Sequence, residues 1–212
     1  MKLYTYFRSS AAFRVRIALN LKGLAVRAHT VHLRKGEHRG ADYLAVNPQG
    51  LLPTLIVDGH RLTQSLAILE YLEERHPRPA LLPGDALGRA RVRALADLVA
   101  CEIHPLNNLR TLAYLRSHLG QDEAGIATWY RHWIADGLEK LEAALTQDGG
   151  AGIYCHGDQP TIADCCLVPQ IFNARRFDSD LKPFPTIMRI FGACMELDAF
   201  QRAQPSAQPD AE

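Results

Sequence analysis

The segment from Leu52 to Ser65 constrains the fold of this chain more than any other. The apolar run Pro53-Thr54-Leu55-Ile56-Val57 meets Asp58-Gly59, a strong signal for a β-hairpin, and the hairpin leads directly into a helix. Ser65 is predicted to be the N-cap of that helix. Free N–H groups and a hydroxyl at a helix start can bind a carboxylate, and the proline before the strand is a candidate for a cis peptide bond. A hairpin and a capped helix without a ligand are the alternative interpretation.

The amino-terminal residues predict a strand, a helix and a second strand. Residues 1–7 are aromatic and alternate weakly, a helix runs from about Ala12 to Gly23, and residues 26–31 again have the pattern of a strand. Together with the hairpin and its helix, this order is that of a thioredoxin-like domain. At the position of the thioredoxin Cys-x-x-Cys the chain has Ser9-Ser10-Ala11-Ala12, so it places hydroxyls and no thiol at the helix start.

The rest of the chain has helical periodicity and follows a proline-rich linker at residues 76–84. The predicted fold class is therefore α/β plus all-α, with a thioredoxin-like domain at residues 1–82 and an all-helical domain at 83–212. The polar residues 201–212 are expected to pack loosely. Helices are expected at 88–119 with a kink near His104 caused by Pro105, at about 123–145, after the N-cap box Thr161-Ile162-Ala163-Asp164, and from Pro185.

The composition argues against several classes of function. A formal net charge of +1 does not suit a nucleic-acid-binding protein. No apolar run approaches the ~18 residues of a membrane span, and no charged-then-apolar leader opens the chain. The five cysteines form no Cys-x-x-Cys pair, and the nine histidines show no metal-ligand spacing. We therefore expect a cytoplasmic protein with buried thiols, without a metal site and without a membrane or nucleic-acid partner.

Separated motifs carry a resemblance that covers nearly the whole chain. They are Tyr-Phe-Arg-Ser-Ser-x-x-x-Arg-Val-Arg-Ile-Ala-Leu at residues 6–19, Asn47-Pro48, Leu52-Pro53-Thr54-Leu55, Gln64-Ser65-Leu66-Ala67-Ile68, and Asp164-x-x-Leu167-Val168-Pro169-Gln170. In this order and spacing they resemble the zeta-class glutathione transferases, and within that class the maleylacetoacetate isomerases. The resemblance implies the glutathione transferase fold and a homodimer. Ala11 stands where the family usually has a cysteine, so no role of that thiol is carried over.

The resemblance implies that glutathione is the cofactor. The backbone of Leu52, before Pro53, would pair with the cysteinyl backbone of glutathione, and Gln64 and Ser65 would bind its γ-glutamyl end. His38 and Gln49 lie on a loop that could reach the glycyl end, although a solvated loop histidine is the alternative. His104 and Asn108 would touch glutathione from the same or the neighbouring subunit. The implied cofactor-binding set is Ser9, Ser10, Ala11, His38, Gln49, Leu52, Pro53, Gln64, Ser65, His104 and Asn108.

The thiol of glutathione needs help to ionise. A free thiol has a pKa of about 8.5, and lowering it by about two units requires roughly 2.7 kcal/mol of preference for the thiolate. An exposed helix terminus supplies roughly 0.3–1 kcal/mol. A hydrogen bond to a charged acceptor supplies roughly 1.5–3 kcal/mol. A hydroxyl must therefore supply most of the preference for the thiolate. Ser9 is the first candidate and Ser10 the alternate, and two ordinary capping serines are the interpretation without catalysis.

Arginines suggest an acidic second substrate. The candidates are Arg8, Arg110 and Arg176, because arginine binds carboxylates in two-point fashion and keeps its charge when desolvated. For each of them, a solvated surface arginine is the alternative. Three such cations would suit a ligand with two acidic groups.

The activity that the resemblance implies is cis–trans isomerisation of maleylacetoacetate to fumarylacetoacetate, in tyrosine and phenylalanine breakdown. A thiolate would add to the alkene, the bond would rotate while single, and the thiolate would then leave, so that glutathione is regenerated. Three alternatives stay open: a glutathione-dependent maleylpyruvate isomerase, a general glutathione S-transferase, and a module that only binds a protein or an apolar ligand.

Overall fold

The computed structural model describes residues 1–147 and 149–212, which form two compact units. The first unit contains Met1–Leu81 together with Met195–Glu212, and the second contains Leu82–Cys194. The predicted fold class, a thioredoxin-like half followed by a helical half, is confirmed.

The first unit is built on a four-stranded sheet with the strand order β2-β1-β3-β4. Strand β1 runs parallel to β2 and antiparallel to β3, and β3 and β4 form the hairpin. Its elements are β1 Lys2–Thr5, α1 Ser10–Leu21, β2 Arg27–Thr30, the short helix α2 Ala41–Leu44, β3 Thr54–Val57, β4 His60–Thr63 and α3 Ser65–Arg75.

The predicted hairpin is confirmed. Asp58 and Gly59 both adopt positive φ, at 49° and 79°, which gives the turn geometry that suits the twist of two-residue hairpins. Leu55 pairs with Leu3 on one side and with Leu62 on the other, and both Leu3 and Leu55 are buried. The Leu52–Pro53 peptide bond before β3 is cis, as the sequence suggests.

The predicted N-cap of α3 is displaced by one residue. Helix α3 begins at Ser65, and Gln64 is the N-cap, with φ 66° and ψ 116°. Ser65 is therefore the first helical residue, and its side chain is turned inward and buried instead of capping the helix. The prediction that Ser65 caps the helix was wrong because serine is usually favoured at that position, whereas here tertiary contacts hold a glutamine there.

The second unit is helical. In place of one kinked helix over residues 88–119, the chain forms α4, a π-helical turn at Leu98–Ile103, a 3₁₀ turn at His104–Asn107 and α5. Pro105 has no N–H to donate, so the α-helix cannot continue there, and Asn108 caps a new one. No helix of the described residues is long and apolar enough to cross a membrane. The helices are α4 Ala86–Asp97, α5 Leu109–Leu119, α6 Glu123–Gln147, α7 Ile162–Arg176 and α8 Pro185–Met195.

The N-cap box at the start of α7 is confirmed. Thr161 is the N-cap, and the fully buried carboxylate of Asp164 accepts from the N–H and hydroxyl of Thr161 at 2.7 and 2.8 Å. Asp164 also accepts the N–H of Cys155 at 2.8 Å, so it ties the preceding loop to the helix.

The last residues of the chain do not pack loosely. Met195–Glu212 (the strap) belongs to the first unit, where the short helix α9, Asp198–Gln201, buries Phe200 completely. The expectation of a loose segment at 201–212 was therefore wrong. Composition alone suggested a polar tail, but apolar Phe200 and Ala203 anchor it.

We predict that Asp164→Ala lowers the free energy of unfolding by about 3 kcal/mol or more, because it removes a cap and leaves buried donors without an acceptor. Urea denaturation measures the change. Asp136→Ala is the matched control, since Asp136 only pairs with Lys140 on the exposed face of α6. Similar losses in the two variants would contradict the prediction.

Candidate active site

Ser9 lies where a tight turn enters α1. Its N–H donates to Tyr6 O at 2.9 Å, and its Oγ accepts the N–H of Ala12 at 3.2 Å, so Ser9 is the N-cap of α1. Because Oγ serves as an acceptor here, its own hydrogen is left to donate to another group. Ser10 and Ala11 are the first two residues of the helix, and Ser10 is buried. The structural interpretation of Ser9 as a cap and its candidate role as a donor are therefore compatible.

The start of α1 is electrostatically suited to an anion. No acidic side chain lies in the first turn of α1, and the helix N-terminus carries partial positive charge. Arg8 immediately precedes Ser9, and its guanidinium lies over the ring of Phe7 at 4.8 Å. This contact with the ring holds the cation close to the entrance of the helix.

The loop before Pro53 is held by internal hydrogen bonds. The hydroxyl of Tyr43 donates to Leu51 O at 2.6 Å, and Asn47 Nδ2 donates to the same oxygen at 2.8 Å. Leu52 itself lies before β3, and among the described residues no hydrogen bond uses its backbone N–H. Leu52 therefore presents a fixed backbone edge to which an extended peptide could bind.

Gln64 has the least favourable backbone of this region. Its positive φ with extended ψ is a conformation that side chains with a Cβ rarely adopt, and such residues are often found at functional sites. Its Nε2 donates to Gln49 Oε1 at 3.0 Å, so both predicted residues meet directly. Gln64 makes no side-chain cap, which leaves the first N–H groups of α3 available to a carboxylate.

The sequence interpretation missed Arg14. This residue of α1 is only 2 % exposed, and its Nη1 donates to Ser65 Oγ at 3.1 Å. A buried guanidinium behind Ser65 fixes the orientation of the hydroxyl and adds positive charge at the start of α3. The signal was present in the sequence, since an arginine lies within the apolar face of a predicted helix.

His38 lies in a 3₁₀ turn, Glu37–Arg39, beside the loop that carries Gln49. Its carbonyl oxygen is 3.1 Å from the position that a Cβ on Gly50 would occupy, so the two backbones are in close contact. Burial, and secondarily Arg39, lowers the pKa of His38, which keeps the ring neutral at neutral pH. Its Nδ1 is enclosed without a hydrogen-bond partner among the described residues. A neutral imidazole has one donor and one acceptor nitrogen, so the ring can take part in ligand binding.

In the second unit, His104 and Asn108 lie together at the break between α4 and α5. Asn108 Nδ2 is 3.5 Å from His104 Nε2, and Asn108 Oδ1 accepts the N–H of Arg110 at 3.2 Å as the cap of α5. The Arg110 side chain is exposed. The amide of Asn108 thus has a structural role at the helix start as well as its predicted role.

Arg176 is the last residue of α7 and is exposed. Its guanidinium lies 5.0 Å from the centre of the Phe177 ring, which stacks on the buried ring of Tyr130 with 3.5 Å between centres. Burial raises the pKa of Tyr130 to about 12, against the opposing effect of Arg176 as a charge and hydrogen-bond partner. Arg131 Nε donates to Phe177 O at 2.9 Å. The sequence interpretation missed this support from α6.

Comparison with known families identifies both halves of the chain. The family described as "Glutathione S-transferase, N-terminal domain" matches residues 8–75, and "Glutathione S-transferase, C-terminal domain" matches residues 109–193. A maleylpyruvate isomerase of Ralstonia sp is 54% identical over 211 residues, with 100% of each chain covered. A maleylacetoacetate isomerase of Rhizobium meliloti is 50% identical over 203 residues, covering 96% of this chain and 95% of the relative.

Solved structures agree with these relatives. A holo maleylpyruvate isomerase, described as a bacterial glutathione S-transferase of the zeta class, superposes with a TM-score of 0.98 at 54% identity, with 100% of each chain covered. A maleylacetoacetate isomerase of Methylobacterium extorquens with bound malonate and glutathione superposes with a TM-score of 0.97 at 43% identity, again with 100% of each chain covered.

We predict that Gln64→Gly is more stable to unfolding than Gln64→Ala by about 1 kcal/mol. Both variants lose the Gln49 hydrogen bond, but only glycine adopts the positive φ without a steric cost. Urea denaturation of the two proteins gives the difference. At most positions an alanine variant is more stable than a glycine variant. The same order at residue 64 would show that its backbone is not strained.

Proposed function

Since the chain belongs to the zeta class of the glutathione S-transferase family, we propose that it isomerises the maleyl double bond of maleylacetoacetate from cis to trans with glutathione as cofactor. The observation that carries the proposal is the Ser9 hydroxyl at the N-terminus of α1, with a hydrogen left to donate, in the same unit as the Gln64–Ser65 helix start.

The residues of the first unit suit glutathione. The free backbone edge of Leu52 matches a peptide backbone, and the first N–H groups of α3 with Ser65 match an α-carboxylate. Gln64 and Gln49, joined by their hydrogen bond, and His38 complete the binding residues on that side. Bound glutathione supplies the thiolate that adds reversibly to the conjugated alkene, so that the former double bond can rotate before the thiolate leaves.

Ser9 would donate its hydrogen to the sulfur and favour the thiolate over the thiol. The N-terminus of α1 and the adjacent Arg8 add to that preference because both are positive. Ser10 is the alternate donor, one residue further into the helix. Ala11 stands in place of the usual cysteine, and its methyl side chain cannot take part in the reaction.

The arginines would hold the acidic groups of the substrate. Arg8 lies in the first unit, and Arg110 and Arg176 lie in the second, where both side chains are exposed. Each can make a two-point contact with a carboxylate and can offset negative charge that develops on the substrate during the reaction. Malonate, a dicarboxylate, is bound with glutathione in the related Methylobacterium enzyme.

Further parts of the proposal rest on the family resemblance. The thioredoxin-like domain, residues 1–82, binds glutathione, and the helical domain binds the second substrate. The protein acts as a cytoplasmic homodimer in the breakdown of tyrosine and phenylalanine. His104 and Asn108 touch glutathione from one of the two subunits.

Maleylpyruvate is the second candidate substrate. The observation that favours it is the 54% identity to maleylpyruvate isomerase, compared with 50% to the Rhizobium maleylacetoacetate isomerase. Both substrates carry the same maleyl group, so the proposed roles of Ser9 and the arginines are unchanged. General glutathione conjugation would be a side activity of the same thiolate.

The test is turnover of maleylacetoacetate and maleylpyruvate with and without glutathione, for the wild type, Ser9→Ala and Ser10→Ala. We expect glutathione-dependent turnover that Ser9→Ala lowers by about 10- to 100-fold in kcat/KM, because a hydrogen bond of roughly 1.5–3 kcal/mol to the sulfur is lost.

Ser10→Ala is the matched control and keeps most of the activity. Turnover without glutathione would refute the mechanism, and a larger loss in Ser10→Ala would move the donor role to Ser10. A clear preference for maleylpyruvate would promote the second candidate.

We predict that Arg176→Ala raises KM for the acidic substrate about tenfold or more while the affinity for glutathione stays unchanged, because one carboxylate contact is lost. Steady-state kinetics and a glutathione titration give the two values. Arg175→Ala is the control, since Arg175 is equally charged but stacks on Phe191. If Arg176→Ala weakens the binding of glutathione as much as that of the acidic substrate, Arg176 does not act on the acidic substrate alone, and the prediction is wrong.

A further inference from the structure

The strap reaches the turn that carries Ser9. Asp210 Oδ2 accepts the backbone N–H of Phe7 at 3.1 Å, two residues before Ser9. Phe7 is buried in a cluster with Tyr6 and Leu52, the residue that offers the free backbone edge. A carboxylate more than 200 residues away in sequence therefore fixes the peptide between the sheet and the candidate donor.

The other side of the same turn is held by Arg16. This buried guanidinium donates to Thr5 Oγ1 and Phe7 O, each at 3.0 Å, and to Tyr6 O at 3.3 Å. Its Nε donates to Ala203 O of the strap at 3.0 Å. Burial lowers the pKa of Arg16 to about 10, and the charge of Asp210 opposes that effect, so the guanidinium is charged at neutral pH. Arg16 thus joins the turn and the strap through one rigid group.

The strap is anchored on both sides of Asp210. Asn20 Nδ2 donates to Ala199 O at 2.9 Å, and Phe200 and Ala203 are buried. Beyond Asp210, Glu212 Oε1 lies 2.7 Å from His32 Nε2. His32 Nδ1 accepts the N–H of Lys35 at 3.1 Å, which leaves Nε2 as the donor to Glu212.

We propose that Asp210 is a positioning residue for Ser9, which it holds in place through the backbone N–H of Phe7. The inference rests on the proposed donor role of Ser9. The backbone of Phe7 is held at its N–H by Asp210 and at its carbonyl oxygen by Arg16, and the Ser9 N–H donates to Tyr6 O to close the turn. If the Phe7 N–H is released, the turn can shift, and a displacement of about 1 Å at a reacting group can cost on the order of 100-fold in rate.

The experiment compares Asp210→Ala, Asp210→Asn and Asp198→Ala with the wild type. Asp198 is the matched control because it lies on the same strap and only forms an exposed pair with Arg202. Ultraviolet absorbance of the thiolate gives the ionisation of glutathione in each complex, and steady-state kinetics give kcat and the KM for the maleyl substrate.

We expect Asp210→Ala to lower the thiolate fraction of bound glutathione and kcat by about tenfold, with little change in KM for the maleyl substrate. Asp210→Asn recovers most of both values, because its amide oxygen can still accept the Phe7 N–H. Asp198→Ala behaves as the wild type. Hydrogen exchange at the Phe7 amide should be faster in Asp210→Ala only.

Unchanged thiol ionisation and kcat in Asp210→Ala would overturn the inference, even if the protein became less stable, because a merely structural strap changes only stability. If Asp210→Asn is as impaired as Asp210→Ala, the hydrogen bond to the Phe7 N–H is not what positions Ser9, and the inference is also overturned. Failure of the proposed function looks different: the wild type would then isomerise neither substrate, while the thiol titration still compares the variants.

Discussion

The buried guanidinium of Arg16 is the interaction on which the first unit depends. It donates to the carbonyl groups of Tyr6 and Phe7, in the turn that follows β1, and to the carbonyl of Ala203 in the strap. The cost of desolvating one cation is offset by several directed hydrogen bonds and by the charge of Asp210. As a result, the entrance of α1 is set by contacts from the sheet, the helix and the strap together.

The start of α3 is also held by a buried arginine. Arg14 lies one helical turn after Ser10 on α1, and it donates a hydrogen bond to Ser65 at the start of α3. It thus links the two helix starts, at which the donor hydroxyl and the carboxylate receptor are proposed. Gln64 can keep its unfavourable backbone because Ser65 behind it and Gln49 beside it are both fixed. Buried charged side chains thus position the polar groups at both helix starts.

The second unit positions its candidate residues through helix ends. Asp164 ties the start of α7 to the preceding loop, and the other end of α7 is supported by Tyr130 and Arg131 of α6 at Phe177. Arg176 therefore extends from a supported helix terminus, with its charge exposed. At the break before α5, Asn108 caps the helix and places Arg110 in its first turn. These restraints suit the proposed role of the two arginines, which is to hold an acidic ligand in one orientation.

The sequence by itself determined what depends on neighbouring residues. The Asp58-Gly59 turn, the Thr161–Asp164 box and the order of strands and helices follow from local backbone chemistry, and the family motifs led to the isomerase family, the fold and glutathione. Only the tertiary structure decided that Gln64 and not Ser65 caps α3, and that the strap packs on the first unit. The physical reason is range: Arg16 meets Ala203, and Phe7 meets Asp210, across nearly the whole chain, and no local pattern of residues specifies such pairs.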